Sequence, residues 1–176
     1  MMNIAFKQAH SGNYRRAARG KEDICYLVIH FTANDGDTAK NNADYFARAE
    51  ISTSAHYFVD ENEVWQSVRD ADIAWHCGTR GVYFHPYCRN ANSIGIELCS
   101  RKNGEKFYFM PETVRRAQAL TVARRVLPVR GGAGEEGIAG QPVGQHCRRR
   151  LGDGRRRPVH ALRLAGLAVL YPSDLL

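Results

Sequence analysis

The residue best placed to do chemistry in this sequence is His30, which follows the apolar run ICYLVI at residues 24–29. A short run rich in β-branched and aromatic residues favours a buried central strand over a helix. His30 would then lie at the carboxyl end of that strand, where sites form in open α/β sheets. A neutral imidazole there can bind zinc, although a histidine that simply ends a strand is the alternative interpretation.

Glu97 is the second candidate, within the segment SIGIEL at residues 93–98. Strand alternation places the three apolar side chains of this segment on one face, and Ser93, Gly95 and Glu97 on the other. A glycine beside a mid-strand carboxylate indicates that another group packs closely against the strand. Glu97 could act as a general base or orient a water, whereas on a one-sided sheet it would face solvent.

Three further candidates are His56, Trp75 and His76. Alternation sends His56 and Tyr57 to opposite faces of a strand, so only one of them can line the side of the sheet that carries His30. Trp75 and His76 lie in a stretch at 70–92 that is rich in Gly, His, Tyr and Asn, which is typical of a surface loop that lines a site. An aromatic ring and an imidazole there could contact sugar or peptide, and packing is the alternative for each.

The elements that must position these residues can be predicted in outline. Residues 54–60 and 64–68 flank a short polar turn and are expected to form a hairpin. Asp37 or Thr38 can cap a helix that runs to about Ala49. A short strand is expected at 107–109. Pro111 is expected to open a second helix, with an apolar stripe at 114, 117 and 120.

Length and composition limit the class of protein. A chain of 176 residues suits a single domain. No apolar run approaches the roughly 20 residues of a membrane helix, so no membrane span is expected. Residues 1–20 lack the apolar core of a secretory signal, which predicts synthesis in the cytoplasm without a signal peptide. The five cysteines contain no CxxC pair, which argues against a structural zinc knuckle.

The chain changes character near residue 122. Residues 122–176 contain ten Arg, nine Gly and no Lys, and they carry +6 of the net charge of +7. A disordered basic tail is one interpretation. Translation out of frame from a GC-rich gene is another, and reading the other two frames of the gene would test it. Nucleic-acid binding by this tail is a weaker alternative, because its arginines show no aromatic interleaving or recognisable module.

Five segments together carry a family resemblance, and they occur in order within residues 12–121. The chain resembles the N-acetylmuramoyl-L-alanine amidase family, specifically the type-2 group related to phage lysozyme-amidases and peptidoglycan recognition proteins. A phage lysin (endolysin) and a bacterial autolysin both remain open. The matching segments are VIHFTAN at 28–34, NNADYF at 41–46, SAHYFVD at 54–60, AWH at 74–76 and NSIGIEL at 92–98.

The resemblance implies an α/β fold, a single domain in which a mixed β-sheet is flanked by helices. It also implies a zinc-dependent hydrolase that acts on the cell wall by cleaving the amide between N-acetylmuramic acid and L-alanine in peptidoglycan. His30 matches the family's first zinc ligand and Glu97 a catalytic glutamate, while His56 and His76 match positions that line the substrate groove, with Trp75 beside them. Zinc would activate a water and polarise the scissile carbonyl.

The C-terminal part departs from the family pattern. The family places a second histidine and a third ligand in a motif similar to RHxDxxGKxCP, where this chain reads Ile138-Ala139-Gly140. A catalytic zinc needs about three protein ligands. The amidase-like domain at 12–121 is therefore expected to be incomplete, followed by an atypical Arg/Gly-rich tail at 122–176. An active amidase that uses His146, Cys147 or His160, and an inactive or peptidoglycan-binding remnant, are the two leading alternatives.

Overall fold

A mixed β-sheet forms the centre of the molecule. The computed structural model describes residues 2–78, 83 and 85–124, together with the backbone strands at 160–164 and 167–171. The helices of the described part are α1 (Ala39–Arg48) and α2 (Pro111–Ala123), with short 3-10 turns at Ser11–Asn13, Lys21–Asp23 and Asn90–Asn92. The strands are β1 (Ala5–Phe6), β2 (Tyr14–Arg15), β3 (Tyr26–Phe31), β4 (Tyr57–Val59), β5 (Val64–Gln66), β6 (Ile73–Ala74), β7 (Ser93–Leu98), β8 (Arg101–Asn103), β9 (Lys106–Tyr108), β10 (His160–Leu164) and β11 (Leu167–Tyr171).

Parallel pairing dominates the main sheet. Within the described strands its order is β1-β5-β4-β7-β3-β11-β10. The β4–β7, β7–β3 and β3–β11 pairs are parallel, whereas β4–β5 and β10–β11 are antiparallel. Two small two-stranded sheets, β2-β6 and β8-β9, lie beside it. The mixed sheet that the family resemblance implied is therefore present, and the hairpin predicted for residues 54–68 is confirmed as β4–β5.

The alternation predicted for β7 is confirmed by the packing of its apolar side chains. Ile94, Ile96 and Leu98 belong to the main hydrophobic cluster, which also contains Leu27 of β3. A fully buried Leu or Ile side chain contributes about 1.5–3 kcal/mol relative to an exposed one, so this face of the sheet is strongly specified. The other face of β7 is thereby left for the polar residues of the same strand.

The two helices cover opposite faces of the sheet. Ala39 and Ala43 of α1 pack against Phe58, whereas Leu120 of α2 lies in the cluster that contains Tyr57. Because Tyr57 and Phe58 are adjacent in β4, their side chains point to opposite faces. The flanking helices expected from the resemblance are thus confirmed, and α1 lies on the Phe58 face.

The start of α1 is tied to the β4–β5 turn. Thr38 is the N-cap, and its side chain accepts a hydrogen bond from the Asn41 backbone N–H. The buried Asp60 accepts one from the Ala39 N–H with Oδ2 (2.8 Å) and one from the Glu63 N–H with Oδ1 (2.7 Å). One carboxylate therefore satisfies both a helix terminus and a hairpin turn.

The buried stripe of α2 differs from the predicted one. Val114 is 36% exposed, whereas Thr113 is fully buried together with Ala117 and Leu120. The spacing of Thr113, Ala117 and Leu120 still fits one helix face. The prediction assigned the first position to the more apolar of two neighbours, and the helix is rotated so that the threonine faces the sheet.

The tail contributes backbone strands to the main sheet. Strand β11 pairs in parallel with β3, and β10 pairs with β11. The structure describes neither the side chains of these two strands nor the other residues from 125 onward. The predictions of a disordered or out-of-frame tail concern this part of the chain and lie outside the described residues. In the described part of the chain, no helix has the length and apolar character needed to cross a membrane.

Candidate active site

His30 and Glu97 lie side by side near the carboxyl ends of two parallel strands. Their Cα atoms are register partners in the β3–β7 pair, and Phe58 of β4 is the partner of Glu97 on its other side. Side chains in register across a sheet share one face, so both candidates lie on the Phe58 face. The structure therefore brings the two main candidate residues together on one face of the sheet, and their roles in a site stay predictions.

His76 packs directly on Gly95, which explains the glycine in the middle of β7. A Cβ atom at Gly95 would lie 2.5 Å from Cγ of His76, far inside contact distance. The closely packed group that the sequence indicated is therefore the imidazole of His76. From this position its ring reaches both His30 and Ser93, and the His30 and His76 ring centroids lie 5.3 Å apart.

A chain of hydrogen bonds runs from Ser93 to His30 and determines which ring nitrogens carry protons. The Ser93 hydroxyl donates to the Arg89 carbonyl oxygen at 2.7 Å, so it accepts from Nε2–H of His76 at 3.1 Å. Nδ1 of His76 then carries the lone pair and accepts from Nε2–H of His30, also at 3.1 Å. This assignment leaves Nδ1 of His30 as a free lone pair.

Burial and neighbouring groups keep His30 neutral and bring the pKa of Glu97 close to neutral pH. Burial, followed by the neighbouring His76, lowers the pKa of His30 to about 3. Burial, followed by the negative charge of Asp37, raises the pKa of Glu97 to about 7. Oε2 of Glu97 is buried and has no hydrogen-bond partner within the described residues. A neutral imidazole can act as a ligand, and a carboxyl with this pKa can both accept and donate a proton.

His56 contacts both the backbone of Gly95 and the ring of His76. Its side chain is fully buried, its Nδ1 accepts a hydrogen bond from the Gly95 N–H at 3.0 Å, and its ring centroid lies 5.6 Å from that of His76. Nη2 of Arg19 lies 2.6 Å from Nε2 of His56. Burial, then His76 and Arg19, lowers the pKa of His56 well below its usual value. This position suits support of the Gly95 backbone, and direct contact of His56 with substrate stays a prediction.

The backbone around Trp75 and His76 is held by side chains from other elements. The Trp75 N–H donates to Oγ of Ser54 at 3.0 Å. The N–H groups of His76 and Cys77 both donate to Oδ1 of Asn90, at 3.0 and 2.6 Å. Trp75 is half-buried, and its role in binding substrate stays a prediction.

Sequence reasoning missed several residues that shape this cluster. Arg19 is absent from the predicted site residues, yet its guanidinium also donates to the backbone oxygens of Asp70 (2.8 Å) and Ser93 (2.9 Å). No periodicity marks it, so the sequence held no usable signal. For Ser93 a signal existed, since alternation places it on the same strand face as Gly95 and Glu97.

The described residues do not complete a zinc site by themselves. His30 offers one lone pair, and a catalytic zinc needs about three protein ligands. Within residues 2–78, 83 and 85–124, no group of three or more His, Cys, Asp or Glu side chains is arranged to hold a metal ion. Any complete site would therefore need ligands from other parts of the chain.

Comparison with known proteins agrees with the geometry. BlyA from Bacillus subtilis (strain 168), an N-acetylmuramoyl-L-alanine amidase, is 33% identical over 120 residues, which cover 62% of this chain and 32% of BlyA. CwlL from Bacillus licheniformis, with the same description, is 32% identical over 128 residues, 68% of this chain and 35% of CwlL. The chain thus spans about a third of the length of these curated relatives.

Structural similarity and a family model lead to the same assignment. The solved structure of a mutant endolysin from Bacillus subtilis matches with a TM-score of 0.53 at 30% identity, over 70% of this chain and 78% of the endolysin. A family model described as N-acetylmuramoyl-L-alanine amidase matches residues 20–147, a range that extends past residue 121. The chain therefore belongs to the N-acetylmuramoyl-L-alanine amidase family.

Proposed function

We propose that this chain hydrolyses the amide bond between N-acetylmuramic acid and L-alanine in peptidoglycan, and that it acts on the cell wall. The observation that carries the proposal is the register of His30 with Glu97, beside His76 on Gly95, in a chain of the amidase family. The names of the relatives support the substrate class, since BlyA and CwlL are both described as N-acetylmuramoyl-L-alanine amidases.

Glu97 is the residue that handles protons in this proposal. Because its pKa is about 7, it exists in both protonation states near neutral pH. The carboxylate takes a proton from the attacking water as the water oxygen bonds to the lactyl carbonyl carbon. It then delivers that proton to the L-alanine nitrogen as the carbon–nitrogen bond breaks. The half-buried position of Glu97 limits competing exchange with solvent.

His30 and His76 have separate roles in this scheme. His30 presents its Nδ1 lone pair, and His76 holds the ring of His30 through the 3.1 Å hydrogen bond. Ser93 in turn holds His76, so the orientation of His30 depends on two further side chains. Trp75 and His76 are proposed to contact the sugar or the stem peptide.

Zinc dependence is a further part of the proposal. Zinc, when bound, would supply Lewis-acid activation of the water and the carbonyl. His30 would hold it together with ligands from His146, Cys147 or His160, whose side chains lie outside the described residues. No step above is assigned to the metal, because the described residues do not complete its site.

The test combines metal analysis with product analysis on purified cell walls. We expect stoichiometric zinc in the unaltered protein and new free N-terminal alanine on digestion of walls. His30→Ala should remove the zinc, whereas Glu97→Gln should keep it and lower alanine release by at least about 100-fold. Glu105→Gln, an exposed carboxylate to amide change, is the matched control and should behave like the unaltered protein.

A second candidate is a peptidoglycan-binding protein without catalytic metal. The observation that favours it is the sequence Ile138-Ala139-Gly140, which stands where the family resemblance places the second and third ligands. Retention on cell walls without zinc and without alanine release would support this candidate and exclude the amidase. Stoichiometric zinc without alanine release from any wall preparation would likewise contradict the proposed reaction.

A further inference from the structure

Two cysteine thiols lie next to the His30–His76 pair and take no part in the proposed reaction. Cys77 and Cys88 are both free, and their Sγ atoms are 3.7 Å apart. Sγ of Cys77 also lies 3.3 Å from Nδ1 of His76, the nitrogen that accepts the hydrogen bond from His30. The pair is thus in contact with the imidazole that orients His30.

The two sulfur atoms are in van der Waals contact, at 3.7 Å. A disulfide has a sulfur–sulfur distance of about 2 Å, so the two atoms must move together by about 1.7 Å. Separate hydrogen bonds hold the two backbone segments. The Cys77 N–H donates to Oδ1 of Asn90 (2.6 Å), and the Cys88 N–H donates to Nδ1 of His85 (3.1 Å). The backbones of both cysteines are therefore held in place before any covalent step.

The two thiols differ in exposure, and this difference gives them different roles. Cys77 is half-buried and can be reached from solvent, whereas Cys88 is 4% exposed. An external disulfide therefore meets Cys77 first, and Cys88 is placed to attack the sulfur of Cys77 from inside the protein. This order of attacking and resolving cysteine is typical of thiol–disulfide exchange sites.

We propose that Cys77 and Cys88 form a thiol–disulfide exchange site that reacts with low-molecular-weight disulfides. The Cys77 thiolate attacks one sulfur of the external disulfide, which forms a mixed disulfide and releases the first thiolate. The Cys88 thiolate then attacks the Cys77 sulfur and releases the second. The two protein thiols are oxidised, the external disulfide is reduced to two thiols, and the two thiol protons end on the released thiolates.

Oxidation would also change the surroundings of His76. The bond to Cys88 turns Sγ of Cys77 toward Cys88 and away from the His76 ring, which it contacts at 3.3 Å in the reduced protein. The redox state of the pair is thereby coupled to the side chain that holds His30. This inference goes beyond the proposed hydrolysis and does not require it, because the exchange involves only the two cysteines.

The experiment uses the full chain with oxidised glutathione as the probe. After incubation, remaining thiols are blocked with iodoacetamide and the protein is digested with trypsin. Arg69, Arg80 and Arg89 are cleavage sites, so Cys77 and Cys88 fall in separate peptides, 70–80 and 81–89. We expect these two peptides to be joined by a disulfide that dithiothreitol releases. Cys99→Ser, which removes a free buried thiol elsewhere, is the matched control and should give the same linked pair.

Two further measurements keep the proposal falsifiable. Cys88→Ser should trap glutathione on Cys77, because the resolving thiol is absent. In the unaltered chain, the linked pair should form at least about tenfold faster in native buffer than in concentrated urea, since the fold holds the thiols together. Equal rates in the two solvents, or alkylation of both cysteines after oxidation of the native protein, would overturn the proposal.

Nuclear magnetic resonance tests the coupling to the site. Oxidation of the unaltered chain should shift the ring signals of His76, and the same treatment of Cys88→Ser should not reproduce the shift of the linked form. This readout does not depend on peptidoglycan hydrolysis. The two proposals can therefore fail separately. A chain that forms the Cys77–Cys88 disulfide but releases no alanine would support the redox site and contradict the amidase reaction.

Discussion

Replacing Glu97 with glutamine should make the folded protein more resistant to rising pH. Burial, then the charge of Asp37, raises the pKa of this carboxyl from its usual 4.5 to about 7. A pKa that is higher in the folded than in the unfolded chain means that the folded state favours the protonated form. The contribution of Glu97 to the unfolding free energy should therefore be fully present below about pH 4.5, and it should be lost as the pH rises through about 7.

The magnitude follows from the size of the pKa change. The difference between 4.5 and about 7 corresponds to about 3 kcal/mol of unfolding free energy. Glutamine keeps the shape of the side chain but cannot ionise. Between about pH 4.5 and about pH 8, the unfolding free energy of the unaltered protein should therefore fall by about 2–3 kcal/mol more than that of Glu97→Gln.

Urea unfolding followed by tryptophan fluorescence measures this difference, with a metal chelator present so that no bound ion contributes. His30 and His56 also titrate abnormally, but both proteins contain them, so their contributions largely cancel in the comparison. The exposed Glu105→Gln serves as the control and should follow the unaltered curve. Parallel curves for the unaltered protein and Glu97→Gln across this pH range would refute the reasoning.

Three further substitutions probe the packing of His76 and the two ends of α1. A Cβ at Gly95 would lie 2.5 Å from the His76 ring, so Gly95→Ala should lower the unfolding free energy by about 1–3 kcal/mol and shift the ring signals of His76. The buried Asn13 side chain forms hydrogen bonds with four backbone groups around the end of α1. Asn13→Ala should lower the unfolding free energy measured in urea by about 2–4 kcal/mol. A decrease of less than about 1 kcal/mol would contradict this. Thr38→Ala should cost about 1 kcal/mol through the lost helix cap, and Thr38→Ser should restore most of it.

The elements that could be predicted are those in which apolar residues repeat regularly along the sequence. The apolar run before His30 and the alternation in SIGIEL correspond to β3 and β7, because burial of one face imposes a two-residue repeat on the sequence. Helix α1 was predictable from a cap followed by alanines on one face. The first position of the α2 stripe was wrong, because the hydrophobicity of Val114 and Thr113 did not decide the rotation of the helix.

The contacts inside the site were harder to predict, because they join segments that are distant in sequence. His76 lies in a stretch without periodicity, and its position depends on hydrogen bonds from its backbone to Asn90 and on room above Gly95. Arg19 reaches the Ser93 carbonyl from a segment 74 residues away. Loop backbones of this kind are positioned by individual polar contacts, and such contacts leave no repeating pattern in the sequence.

One face of β7 nevertheless links the predictable and unpredictable parts of the site. Residues two apart on a strand are about 6.6 Å apart, so Ser93, Gly95 and Glu97 form a row about 13 Å long. Ser93 holds His76 at one end, Gly95 leaves space for the ring, and Glu97 lies beside His30 at the other end. A slip of β7 by one residue would turn this row toward the α2 face and bring apolar side chains into the site. The burial of Ile94, Ile96 and Leu98 beneath α2 therefore maintains the register on which the site depends.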